Sequence, residues 1–79
     1  MYCVYILKSL KDNKLYIGRT NNFDRRFKEH NSGQVQSTKS RLPMILMEII
    51  PARSEADSVQ LELLYKKGYK REELKSKYK

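Results

Sequence analysis

The sequence predicts an α+β fold: a three-stranded antiparallel β-sheet flanked by helices, in the order β-β-α-β-α, with room for one more helix at the C-terminus. Three observations predict it. Two apolar, β-prone runs, residues 2–7 and 15–19, flank a polar segment where Asp12-Asn13 marks a turn, which is the pattern of a hairpin. A third run of the same character, residues 44–50, is bracketed by Pro43 and Pro51, residues that suit strand ends. Helical spacing follows Asn21-Asn22 and again follows Ser54.

In chain order, Tyr2-Cys3-Val4-Tyr5-Ile6-Leu7 is apolar throughout, as expected of a central strand. An even-numbered loop centred between Asp12 and Asn13 would pair Tyr5 with Thr20. Alternation would then send Tyr5, Tyr16 and Gly18 to one face, where a side chain at Gly18 would crowd the tyrosines. Asn21 or Asn22 caps the first helix, and Asp24 suits a capping box with Asn21 and the helix dipole. On that helix Phe23, Arg26, Phe27 and His30 follow the i, i+3, i+4, i+7 rule and share one side. A guanidinium and the only imidazole stand where an apolar stripe belongs, so this side reads as the rim of a polar site, not a sealed core. Asn31-Ser32-Gly33 ends the helix.

Residues 34–42 are polar and basic and read as a loop, in which Ser37, Thr38, Lys39 and Arg41 are of the type that holds phosphate oxygens. Ser54 with Asp57 opens the second helix. Ala56, Val59, Gln60, Leu63 and Lys67 are expected on its inner side, with Glu62 at the border and Gly68 as its stop. The tail from Tyr69 onward is basic, with a short helix expected around residues 71–75 before it frays.

Composition narrows the function classes. A chain of 79 residues makes one small domain that buries only about 60% of its unfolded surface, so any site must sit on the outside of a thin core. Lysine and arginine number 17 against 9 acidic residues, a net charge of +8, which favours a polyanionic partner and nucleic acid first. No apolar run approaches the ~20 residues of a membrane span. The N-terminus reads as a strand and not a signal peptide. Cys3 is alone, which excludes a disulfide framework and a thiolate metal cluster and fits a reducing cytoplasm.

Cys3-Val4-Tyr5, then Tyr16-Ile17-Gly18, then a helix with Arg26 and His30 four apart together resemble the GIY-YIG nuclease domain, of the small stand-alone bacterial type. The second triplet is kept letter for letter and the first only at its tyrosine. The resemblance spans nearly the whole chain. It implies an endonuclease that hydrolyses DNA phosphodiester bonds with a single Mg²⁺, or another divalent cation such as Mn²⁺. Branched, nicked or damaged DNA in repair or recombination would be its setting. By the same resemblance Tyr5, Tyr16, Arg26 and His30 are the catalytic positions and Glu62 the metal ligand, with Glu55 the alternative; Arg19 is auxiliary. Arg19, Lys39 and Arg41 are the expected further contacts to nucleic acid. Two departures stand out: Cys3 replaces the first glycine, and no asparagine follows Asn31 where some members use one late in the chain.

The chemistry suits these residue types. Phosphodiester hydrolysis needs a deprotonated nucleophile, neutralisation of charge on a phosphorane-like transition state, and help for the leaving oxygen. Tyr5 and Tyr16 could hold or deprotonate water, though a free phenol has a pKa of about 10 and would need a nearby cation. His30 is the alternative base, because it alone titrates near neutrality unperturbed. Arg26 offers a fork to the non-bridging oxygens. One glutamate suits Mg²⁺, which keeps most of its waters. Two competing readings keep the basic surface without the chemistry: a non-catalytic nucleic-acid-binding module, and a protein-interaction domain whose charge serves solubility.

Overall fold

The computed structural model describes residues 1–78; Lys79, the last residue of the tail, lies outside the described residues. The strands are β1 (Cys3–Ser9), β2 (Leu15–Thr20) and β3 (Met44–Pro51). The helices are α1 (Phe23–Asn31), α2 (Glu55–Tyr65) and α3 (Gly68–Lys77), with a single 3₁₀ turn at Lys39–Arg41. The sheet is antiparallel in the order β2-β1-β3, so the most apolar strand is central and β2 and β3 are its edges.

Side-chain alternation splits the core in two. Tyr5 and Leu7 of β1, with Tyr16 and Met44, lie under Phe23 and Phe27 of α1. Val4 and Ile6, with Ile17, lie under Leu61 and Tyr65 of α2 and Leu74 of α3. Both faces of β1 are therefore covered, which explains its unbroken apolar run. Against β3 the register shifts between Ile6 and Leu7, leaving Met47 as an extra residue that still packs on the α2–α3 side.

Several sequence expectations are corrected. Tyr5 pairs with Gly18, not Thr20. The hairpin loop is centred one residue earlier because the Ser9 hydroxyl accepts the N–H groups of Lys11 and Asp12, and Asn13 takes φ 61° to close it. A two-residue slip preserves side-chain parity, so Tyr5, Tyr16 and Gly18 still share a face. The cap of α1 is Asn22, whose side chain accepts from the N–H of Arg25 at 3.1 Å; Asp24 thus forms no capping box with Asn21. Gly33, at φ 82°, closes the C-terminus of α1 as expected.

Ser54 caps α2 and Asp57 answers by accepting the Arg53 N–H. The inner face of α2 is not the expected one. Ser58, Leu61 and Tyr65 face the sheet, whereas Leu63 is 55% exposed and Ala56 is exposed too. Gly68 does not end α2; it begins α3, and the expected short, frayed helix is ten residues long. Leu74 of α3 is buried in the core, so this basic segment closes one face of the sheet.

Candidate active site at the edge strand

On the α1 face the structure brings Tyr5, Tyr16, Arg26 and His30 together. Tyr5 is 1% exposed and its ring is wedged among Tyr16, Phe23 and His30, with centroids 6.4, 5.7 and 5.6 Å away. Its hydroxyl meets His30 Nε2 at 2.9 Å. Across the hairpin lies Gly18, and a Cβ there would stand 2.5 Å from the Tyr5 oxygen. Glycine is required because the phenol occupies the space a side chain would need. Burial pushes the Tyr5 phenol up to about 12, despite the adjacent Arg26 guanidinium, which favours the phenolate. Tyr5 therefore carries its proton at neutral pH. Tyr16 is half-buried, with its ring 5.1 Å from the imidazole of His30.

His30 is fully buried, so the helix side read as a polar rim is sealed at this end. Its Nε2 meets Tyr5 and its Nδ1 meets the Thr38 hydroxyl at 2.8 Å, which leaves neither nitrogen free. Burial pulls its pKa below the ordinary histidine value, and the charge of Arg26 adds to this. A neutral, enclosed imidazole has no face open to a water nucleophile. Within the site its one contact to another candidate residue's polar group is with the Tyr5 phenol. Arg26, by contrast, keeps 35% of its side chain exposed and is tethered to Glu29 at 3.1 Å. Composition alone groups Thr38 with the phosphate-binding loop residues. Its burial against His30 depends on how the chain folds back after Gly33, which no spacing rule reports.

Glu62 is placed differently. It lies on the α2 side of the sheet, bridging to Arg19 of β2 and Lys66, each at 3.5 Å. Arg19 alternates with Gly18, so the two groups stand on opposite pleats of the same edge strand. Glu55, two helical turns earlier, accepts the Tyr2 hydroxyl at 2.9 Å near the start of α2. Among the described residues no three His, Cys, Asp or Glu side chains cluster as a metal cage. Glu62 still fits one hydrated divalent ion: its ion pairs are long for charge-assisted bonds, and 21% of its side chain is exposed.

Of the remaining expected contacts, Lys39 is exposed on the 3₁₀ turn. Arg41 is committed within the fold. Its Nε pairs with Asp12 at 3.0 Å and its Nη2 donates to the carbonyl of Lys14, pinning the hairpin to the long loop. Asn31 holds the start of β3, accepting the Met44 N–H at 3.0 Å and donating to its carbonyl at 3.2 Å. Among the described residues no helix is long and apolar enough to cross a membrane.

Comparison with known proteins finds relatives and a family. A UPF0213 protein of Staphylococcus haemolyticus is 41% identical over 63 residues, covering 76% of this chain and 76% of the relative. One from Bacillus licheniformis is 38% identical over 64 residues, covering 80% of this chain and 65% of the relative. A third, from Clostridium perfringens, is 43% identical over 61 residues, with 73% of this chain and 64% of the relative covered. The last two relatives are thus matched over a little less than two thirds of their length. No solved structure matches the chain. The family model described as the GIY-YIG catalytic domain matches residues 1–79, and the chain belongs to that family.

Proposed function

We propose that the protein is a divalent-metal-dependent endonuclease that hydrolyses DNA phosphodiester bonds at the outer edge of β2, in the service of repair or recombination. One observation carries the reading: Tyr5, Tyr16 and Arg26 meet on the α1 face beside the edge strand β2, while Glu62 of α2 reaches the other face of that strand at Arg19. Family membership supports nuclease chemistry, and the excess of basic residues supports a nucleic-acid substrate.

The residues divide the work by environment. Tyr5, protonated and fixed by His30, orients by donating its proton in a hydrogen bond and does not serve as the base. Tyr16, half-exposed beside the charge of Arg26, holds the attacking water and, as its phenolate, takes the proton that the water loses. Arg26 grips the non-bridging oxygens and stabilises the charge that builds on phosphorus; its exposed guanidinium exchanges Glu29 for phosphate. Glu62 would hold the divalent ion, with Arg19 beside it. When bound, that ion supplies charge neutralisation and lowers the pKa of a coordinated water.

Plasmid nicking with and without Mg²⁺ or Mn²⁺ tests this. The wild type should nick only with metal, and Arg26→Ala should lose about 10²-fold or more in rate while its melting curve stays close to wild type. If the wild type binds DNA and nicks under no divalent ion, the domain is a non-catalytic nucleic-acid-binding module. Cys3 in the first triplet and the missing late asparagine make that the competing reading.

A further inference from the structure

A groove of about 1180 Å³ runs between the β1–β2 hairpin and α3, with apolar side chains of β2 and α3 as its floor. Tyr16 forms part of its wall, so the groove and the candidate active site share that residue of the edge strand. Six cationic side chains line it against one carboxylate, Asp12, and Asp12 is already taken up by Arg41. The other five are Lys8, Lys14, Lys66, Arg71 and Lys75, supplied by β1, the hairpin loop, the end of α2, and α3. Arg71 and Lys75 are four apart on α3 and so lie on one side of it. Lys14 and Arg71 pair with no carboxylate among the described residues. Lys75 meets only Glu72, in a solvent-exposed pair at 3.5 Å that yields readily to a phosphate.

Much of the chain's positive charge is therefore gathered in one concavity that touches the edge strand, where a flat lipid surface could not follow but a strand of linked phosphates could. We infer that this groove holds the sugar-phosphate backbone of the DNA strand flanking the scissile bond. Lys14, Arg71 and Lys75 neutralise phosphates of that strand and lead it to Tyr16. The inference rests on the endonuclease reading only for what is done at Tyr16; the binding itself is separable. It also assigns the basic C-terminal helix a binding task, where the sequence alone reads only a short basic helix that frays.

The test is DNA binding by fluorescence anisotropy over a range of salt, using the full chain and a labelled DNA duplex. Lys14→Gln/Arg71→Gln should weaken binding at least tenfold at low salt. It should also reduce the slope of log affinity against log salt by about 1.8, two phosphates at ~0.9 each. A control of equal charge loss outside the groove, Lys28→Gln/Arg53→Gln, should leave both quantities near wild type. All four side chains are exposed, and circular dichroism melting establishes that each variant is folded. If the groove variant binds like wild type, or the control loses as much, the groove is not the track. Nicking at saturating DNA separates the two ideas. Wild-type binding without nicking would sink the nuclease and leave the groove standing, whereas nicking with unaltered affinity in the groove variant would do the reverse.

Discussion

At the scale of single residues, Gly18 and His30 show how tightly the site is built into the core. The tyrosine triplets were visible as motifs, but their physical content lies in one contact: the Tyr5 oxygen fills the space above Gly18. Gly18→Ala forces a Cβ against a ring that His30, Tyr16 and Phe23 prevent from moving. It should cost about 1–3 kcal/mol of stability, read by urea denaturation, with loss of nicking. A variant as stable as wild type would contradict the locked position of Tyr5. His30 makes a second prediction. Its folded pKa is depressed, so below about pH 6.5 the unfolded chain binds a proton that the folded chain refuses. The stabilisation is complete above the unfolded pKa and is lost as pH falls through it, by at most about 1.4 kcal/mol per pH unit for one proton. Urea midpoints between about pH 7 and pH 5 should decline in the wild type and stay flat in His30→Gln. A flat wild-type profile would place the imidazole in water.

At the scale of elements, local signals were legible and relations between elements were not. Caps, prolines and apolar runs marked all three strands and the first two helices, because each signal is contained within a few residues. The face of α2 was misread because its apolar residues do not form a single stripe: Leu61, Leu63 and Leu64 point in different directions, and only the sheet decides which is buried. Truncation measures this choice. Leu61→Ala should destabilise by about 2 kcal/mol, since it leaves a gap in the core. Leu63→Ala should stay within ~0.5 kcal/mol. The opposite ranking would restore the face expected from spacing. Two further relations depended on long-range contacts. Arg41 is drawn into the hairpin by Asp12, 29 residues away. Gly68 looked like a helix stop because glycine usually is one, yet α3 starts there and returns to cover Val4 and Ile6.

At the scale of the whole molecule, a thin sheet with helices on both faces leaves its outer strand as the place where both sides can reach one substrate. Tyr5, Tyr16, Arg26 and His30 were legible together because α1 follows β2 within a few residues. Glu62 was legible only through the family, and its position on the opposite pleat with Arg19 needed the fold. Under the proposed function, catalysis spans the edge of β2, and Glu62 is needed for cutting and not for holding DNA. The most direct measurement compares wild type and Glu62→Ala in parallel, by Mg²⁺-dependent nicking and by DNA affinity. The expected result is a folded variant with wild-type affinity and no cutting; a Glu62→Ala protein that nicks at the wild-type rate would contradict the proposed role of Glu62.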